Sequence, residues 1–181
     1  MRILSKIILG LWGWKVIGGI PADLKKFAVV VAPHTSMWDF VIGRLAWFAL
    51  GLKVKFLIKK EMFAFPLGSL LKGLGGIPVD RGKSSRLVDY VADLFDQHKS
   101  LYITITPEGT RRLNPKWKKG FYYIALKANV PIALGILDYK RKEAGVEQIF
   151  TPTGNFEEDF KIVEDFYRGR GAKHPEMFNL T

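Results

Sequence analysis

The stretch that decides the fold reads FAVVVAPHTSMWDF and spans residues 27–40. Its first six residues, Phe27–Ala32, are apolar and rich in valine, without the polar alternation of a half-exposed strand. They therefore predict a strand that is buried on both faces. The apolar residues Trp38–Leu50 predict a helix directly after the turn that contains Pro33 and Ser36. A buried strand that leads into a helix is the repeating unit of α/β proteins.

The same alternation of strands and helices continues along the chain and predicts a single α/β domain, in which a sheet is flanked by helices. The clearest amphipathic helix is Arg86–Gln97, for which Ser84 or Ser85 is the predicted N-cap. The other predicted helices are Leu67–Leu74, Gly120–Ala128 and Glu157–Tyr167. The other predicted strands are Val54–Ile58, Ile77–Val79, Leu101–Thr106, Pro131–Leu137 and Val146–Phe150.

The turn after the first strand is followed by a histidine and a carboxylate, His34 and Asp39, five positions apart. On one continuous helix they would lie about 140° apart around the axis and could not touch. With His34 in the turn and Asp39 in the first helical turn they can meet. The imidazole could then take a substrate proton while Asp39 fixes its tautomer. The alternative is structural, because Ser36 and Asp39 have the spacing of a capping box.

A second polar turn reads TPEGTR, residues 106–111, and follows another predicted strand. Ligands of open α/β sheets bind at the carboxyl ends of the strands, so Glu108 and Arg111 are candidates for substrate contacts. The planar guanidinium of Arg111 can hold a phosphate through two hydrogen bonds. The alternative is a solvated turn, in which proline and glycine serve the backbone geometry alone.

The 181 residues have a net charge of +11, and the excess is uneven. Residues 1–137 have a net charge of +13, and residues 138–181 have −2. The densest basic segment, Arg111–Lys119, has five Lys or Arg, no acid and one tryptophan, Trp117. It predicts a phosphate or anionic-lipid patch, with a solvated loop as the alternative. Nucleic-acid binding has only the charge in its favour, because no stacking-aromatic pattern or helix-turn-helix accompanies it.

The N-terminal residues 2–17 are predicted to form an amphipathic helix. Its apolar stripe is formed by Ile3, Ile7, Leu11 and Trp14. Together with Trp12, this stripe suits a membrane interface, and the alternative is a helix that packs on its own domain. Lys53, Lys55, Lys59 and Lys60, with Phe63 and Phe65 nearby, form a second basic and aromatic segment.

The sequence also excludes several classes of protein. The longest run without charged residues has twelve residues, 27–38, whereas a membrane-spanning helix needs about 20. The apolar run 7–14 is short and lacks the small-residue cleavage site that is typical of a signal peptide. The absence of cysteine excludes disulfides, thiolate metal sites and cysteine nucleophiles.

Four blocks of the sequence together resemble the glycerolipid acyltransferase family. The first is the HX4D pair His34 and Asp39. The other three are Lys60-Glu61 through Asp80-Arg81, then Pro107-Glu108-Gly109-Thr110-Arg111, then Val130-Pro131-Ile132. They occur in the family's order and cover about residues 25–137. The resemblance implies a mixed, mostly parallel sheet. Pro33 stands where the family often has Asn, and Thr106 where an aromatic residue is usual, which leaves the acceptor lipid open.

The resemblance also implies roles for the residues in these blocks. His34 is the general base that removes the proton of the acceptor hydroxyl, and Asp39 orients it. Substrate binding falls to Lys60, Arg81, Glu108, Gly109, Thr110 and Arg111, of which the three cations hold the acceptor's phosphate or other head group. No metal or redox cofactor is required, and acyl-CoA or acyl carrier protein supplies the acyl group as a thioester.

The resulting expectation is an O-acyltransferase that acts on 1-acylglycerol-3-phosphate or another lysolipid, monotopic on the cytoplasmic face of a membrane. Residues 1–20 are then an amphipathic helix that can anchor the protein, and residues 21–181 are the acyltransferase domain. One alternative is the same chemistry on a non-phosphoglyceride acceptor such as an aminolipid. The other is a non-catalytic basic module that binds anionic membrane lipid.

Overall fold

The computed structural model describes residues 1–80, 82 and 84–180, without the side chains of Ser84 and Ser85. These described residues form seven strands and six α-helices. The strands are β1 (Lys15–Gly18), β2 (Lys26–Ala32), β3 (Lys55–Lys59), β4 (Gly76–Val79), β5 (Leu101–Ile105), β6 (Ile132–Asp138) and β7 (Glu143–Phe150). The helices are α1 (Arg2–Leu11), α2 (Met37–Leu50), α3 (Leu67–Gly73), α4 (Ser84–Gln97), α5 (Gly120–Lys127) and α6 (Phe156–Tyr167). Short 3-10 helices cover Lys60–Phe63 and Pro175–Met177.

The described strands form one sheet in the order β1-β7-β6-β2-β5-β3-β4. Strands β6, β2, β5, β3 and β4 are parallel, β7 is antiparallel to β6, and β1 is parallel to β7. The predicted α/β domain with a mixed, mostly parallel sheet is therefore confirmed. Strand β6 is buried along its whole length and β2 along most of it, as their continuous apolar sequences predict.

Helices cover both faces of the sheet. On one face α4, α5 and α6 pack their apolar sides, represented by Phe95, Phe121 and Tyr167, against β2 and β6. On the other face α2 packs through Ile42 and Trp47, and α1 adds Leu9. This three-layer arrangement leaves the two ends of the strands as the places where side chains can reach solvent together.

The predicted N-terminal helix is present as α1, but its predicted end at residue 17 is wrong, because α1 ends at Leu11 and residues 15–18 form β1. Gly13 has φ +76°, and the Trp14 amide donates to the Leu9 carbonyl at 2.8 Å, as in a Schellman C-terminal motif. Leu9 and Trp14 then lie buried in the same apolar cluster. Trp14 is therefore a core residue and not part of a membrane-facing stripe.

The other predicted elements agree with the structure to within a few residues. Trp117, which the sequence places in the basic segment, is buried, and its indole N–H donates to the Asn179 carbonyl at 3.1 Å. The proposed cap by Ser84 or Ser85 falls on side chains outside the described part of the chain.

The parallel strands bring the sequence blocks to one edge of the sheet. His34 follows β2, Glu108 follows β5, Tyr139 follows β6 and Lys60 follows β3. Because these strands are parallel and adjacent, their carboxyl ends lie side by side, and the turns that follow them meet there.

Candidate active site

His34 and Asp39 lie in contact at the carboxyl edge of β2. The Nδ1 atom of His34 is 3.2 Å from Oδ2 of Asp39, and the side chains are 23% and 3% exposed. The capping box is present in the same residues, because Ser36 is the N-cap of α2 and Asp39 accepts a hydrogen bond from the Ser36 amide at 2.8 Å. The structural and the chemical interpretation of this turn are therefore not exclusive.

The Asp39 carboxylate has several partners in the described part of the chain. Oδ2 also accepts from the Thr35 amide at 2.7 Å, and Oδ1 accepts from the Tyr139 hydroxyl at 2.8 Å. Burial acts to raise the pKa of Asp39, but the hydrogen bonds from the His34 ring, the Ser36 amide and Tyr139 outweigh it and hold the pKa below its ordinary value. Asp39 is therefore a carboxylate at neutral pH. Its charge favours a proton on Nδ1 and leaves Nε2 as the basic nitrogen.

Glu108 lies beneath this pair. Its Oε1 accepts a hydrogen bond from the main-chain N–H of His34 at 2.7 Å, and the side chain is buried. Burial raises the pKa of Glu108 to about 8; the hydrogen bond from His34 opposes the shift and the negative charge of Asp39 adds to it. Glu108 is not among the described residues that line the cavity beside this pair, and its role in substrate binding stays a prediction.

The rest of the second turn faces open space. Gly109, Thr110 and Arg111 line the cavity beside His34 and Asp39, and their role in substrate binding stays a prediction. Gly109 has φ +67°, and a Cβ atom there would lie 2.9 Å from Cε of Lys118. The glycine thus leaves room for the Lys118 side chain over the turn, and Lys118, like Arg111, lines the cavity.

The cavity has a volume of about 1260 Å³ and opens beside His34 and Asp39. Its wall is mostly apolar, with Phe40 and Trp47 of α2 and Phe56 of β3 on one side. Basic side chains stand among the lining residues, and these are Arg44, Lys55, Lys59, Arg111, Lys118 and Lys119. A large apolar space with cations and a histidine at its edge fits an anionic amphiphile.

The predicted head-group residue Lys60 stands apart from this arrangement. Lys60 is exposed, pairs with Asp80 at 3.2 Å and is not among the described residues that line the cavity. Its neighbour Lys59 lines the cavity instead. Arg81 lies outside the described residues, so its role remains a prediction.

Tyr139 is a site residue that the sequence analysis missed. It sits 100 residues after Asp39 and directly after β6. A signal was present, because Asp138 and Tyr139 are polar residues at the end of a fully apolar buried strand. Among the described residues no group of three His, Asp or Glu side chains could hold a metal ion.

This fold and this polar edge belong to a known class of proteins. A family model described as Acyltransferase matches residues 16–133. The chain therefore belongs to the acyltransferase family. The human 1-acyl-sn-glycerol-3-phosphate acyltransferase beta is 35% identical to this chain over 111 residues, covering 58% of this chain and 38% of that protein. The 1-acyl-sn-glycerol-3-phosphate acyltransferase of Limnanthes alba is 32% identical over 156 residues, covering 75% of this chain and 51% of that protein.

The chain thus spans about half or less of the length of these curated relatives. Among solved structures, the fold is shared with the 1-acyl-sn-glycerophosphate acyltransferase PlsC from Thermotoga maritima. The TM-score is 0.62 at 20% identity, over 95% of this chain and 80% of that one. Within residues 1–80, 82 and 84–180, no helix combines the length and the hydropathy that a bilayer span requires.

Proposed function

We propose that the protein transfers a fatty acyl group from an acyl thioester, acyl-CoA or acyl carrier protein, to the hydroxyl of a lysolipid. The preferred acceptor is 1-acylglycerol-3-phosphate. The observation that carries this proposal is the contact of 3.2 Å between His34 and Asp39, both of which line the mostly apolar cavity. The names of the matched relatives support the choice of acceptor.

The chemistry follows from which ring nitrogen of His34 faces Asp39. Nε2 of His34 takes the proton of the acceptor hydroxyl as its oxygen attacks the thioester carbonyl carbon. The C–O bond forms, the C–S bond breaks, and the thiolate leaves with the proton that the imidazolium returns. Asp39 stabilises the imidazolium between these steps. The products are an ester and a free thiol, and the reaction needs no metal or redox cofactor.

The substrate's two ends have matching surroundings. Arg111 and Lys118 at the cavity rim fit the phosphate of the acceptor, because charge-assisted hydrogen bonds to phosphate are strong. The apolar wall formed by α2 and β3 fits a hydrocarbon chain. A lysolipid without phosphate would leave these cations without an anionic partner, which disfavours an aminolipid acceptor.

The membrane is the source of the acceptor, and an apolar face lies beside the site. The outward side of α1 exposes Ile3, Leu4, Ile7 and Leu11. Trp12 meets the exposed Trp38 of α2 edge to face, with ring centroids 5.9 Å apart, four residues after His34. We call this exposed side of α1, together with the start of α2, the α1 face. It suits in-plane attachment to a cytoplasmic leaflet, with Arg2 and Lys6 on anionic head groups.

The decisive experiment offers a panel of lysolipids with acyl carrier protein and CoA thioesters and identifies the products by mass spectrometry. Formation of phosphatidic acid from 1-acylglycerol-3-phosphate, lost in His34→Ala, is the expected result. The alternative, a basic module that only binds anionic lipid, predicts vesicle binding that weakens steeply with salt and no transfer with any pair of substrates.

A further inference from the structure

Tyr139 lies outside the four sequence blocks and beyond the range 16–133 that the family model matches. Its hydroxyl nevertheless donates to Oδ1 of Asp39 at 2.8 Å, on the oxygen opposite the one that contacts His34. We propose that Tyr139 is a positioning residue for the His34–Asp39 pair, which it holds ionised and in register through this hydrogen bond.

The surroundings fix Tyr139 in place. Its ring packs edge to face on Trp14, with centroids 5.0 Å apart. Its amide donates to the Gly171 carbonyl at 2.8 Å, and the Gly171 amide donates to the buried Asp138 at 3.1 Å. The same C-terminal segment reaches the His34 turn, because the His174 amide donates to the Thr35 hydroxyl at 3.2 Å. The segment after α6 thus braces both Tyr139 and the turn that carries His34.

Two buried carboxyl groups at this sheet edge, Glu108 and Asp39, differ in the hydrogen bonds that they accept, and one of those to Asp39 comes from the Tyr139 hydroxyl. Glu108 accepts from the His34 amide, and burial raises its pKa to about 8. Asp39 accepts from Tyr139, two amides and the His34 ring, and its pKa is lowered although burial acts to raise it. Asp39 accepts more hydrogen bonds than Glu108 and faces the His34 ring, whereas Glu108 faces the negative charge of Asp39. The loss of one donor should therefore raise the pKa of Asp39.

Loss of the Tyr139 hydroxyl should shift the apparent pKa of the His34–Asp39 pair in one direction only. Within the described part of the chain, the titratable groups that face Asp39 are His34 from its own turn, Glu108 from the turn after β5 and Tyr139 from the turn after β6. Without the Tyr139 hydroxyl, negative charge on Asp39 is less stabilised. Protonation of the pair then becomes easier, whether the proton sits on the carboxylate or on the imidazole. The apparent pKa of the pair must therefore rise.

The test compares Tyr139→Phe with Tyr122→Phe. Tyr122 is a matched control, because its buried hydroxyl donates to the buried Asp159 at 2.8 Å, with no described contact to Asp39. The kinetic arm rests on the proposed acyl transfer. Tyr139→Phe should lower kcat about 10- to 100-fold, as expected for a lost hydrogen bond to a charged group, with both KM values unchanged. The acid limb of its pH profile should move to higher pH, and Tyr122→Phe should keep the limb in place.

The second arm does not depend on any activity. The apparent pKa of the His34–Asp39 pair is followed by NMR on the His34 ring signals, assigned through His34→Ala, and it should rise in Tyr139→Phe alone. Selective 3-fluorotyrosine at position 139, a stronger donor that keeps the shape, should lower it. An unmoved apparent pKa of the pair, or equal changes in Tyr122→Phe, would overturn the proposal. A wild-type protein without transferase activity would overturn the proposed function and leave the NMR result to decide the role of Tyr139.

Discussion

The main-chain N–H of His34 donates to the Glu108 carboxyl group at 2.7 Å, across 74 residues of sequence. This bond joins the turn after β2 to the turn after β5 and fixes the backbone from which the His34 ring projects. It also puts a buried acid, with its pKa raised to about 8, directly behind the proposed base.

Glu108 should make the stability of the protein pH-dependent. Its pKa is near the ordinary 4.5 when unfolded and about 8 when folded, so between these values the folded state holds more protons. The free energy of unfolding contributed by Glu108 is therefore fully present below about pH 4.5, falls as pH rises toward 8 and is flat above.

We expect Glu108→Gln, which keeps an oxygen for the His34 amide, to remove this slope. Urea denaturation at several pH values between 5 and 9 measures it. Glu158→Gln, a change of an exposed glutamate on α6, is the control and should leave the slope as in the wild type. A wild-type protein whose stability is constant across this pH range would contradict the raised pKa of Glu108.

His34→Ala should lower acyl transfer about 10²–10⁴-fold, the usual contribution of a general base. The ring is partly exposed at the cavity mouth, so the fold should survive. Transfer rates are measured by product mass spectrometry and folding by circular dichroism. His98→Ala, at the exposed end of α4, should retain full activity. Comparable losses in both variants, or a fully active His34→Ala protein, would rule out the assigned base.

Asp39→Asn should reduce transfer strongly while costing little stability. An Asn oxygen can still accept from the Thr35 and Ser36 amides, so the start of α2 keeps its cap. The negative charge that stabilises an imidazolium is lost. Parallel measurement of kcat and of thermal unfolding separates these effects. Full activity with unchanged stability would leave Asp39 with the capping role alone.

Arg111→Ala should raise the KM of the phosphate-bearing acceptor about 10-fold, with little change in the KM of the acyl donor. Arg111→Lys should also be impaired, because an ammonium lacks the planar fork of a guanidinium. Arg112→Ala is the matched control, since Arg112 is adjacent and exposed but is not among the described residues that line the cavity. Equal shifts of both KM values would place Arg111 elsewhere in the mechanism.

The α1 face should bind anionic vesicles. Deletion of residues 1–17 is unsuitable as a test, because it would remove most of β1 and the buried Leu9 and Trp14. A triple change to serine at Ile3, Ile7 and Leu11 leaves that packing in place and should lower vesicle partitioning about 10-fold or more.

Cosedimentation with anionic vesicles measures this partitioning, and turnover of a detergent-dispersed substrate should persist. Leu126→Ser, at a half-exposed position on α5, controls for the loss of surface apolar area. If the triple variant sediments with vesicles as well as the wild type, the surface around Phe65 and the neighbouring lysines becomes the membrane contact.

The sequence by itself determined the features that depend on neighbours along the chain. The valine-rich run 27–32 had to be a buried strand, and the five-residue spacing of His34 and Asp39 allowed contact only across a strand-to-helix turn. Such contacts form within one turn, where spacing limits the geometry. Each of the four blocks is also a short local segment, so its residues can be recognised without the fold. The blocks and their order along the chain were therefore enough to indicate the family.

Only the tertiary structure decided the features that depend on the order of the strands. Tyr139 reaches Asp39, and Glu108 supports His34, because β6 and β5 flank β2 in the sheet. Periodicity cannot show that order. Trp14 and Trp117 likewise became core residues through contacts with distant segments. Contacts between distant segments thus decided between local structures that the residue spacing allowed equally well.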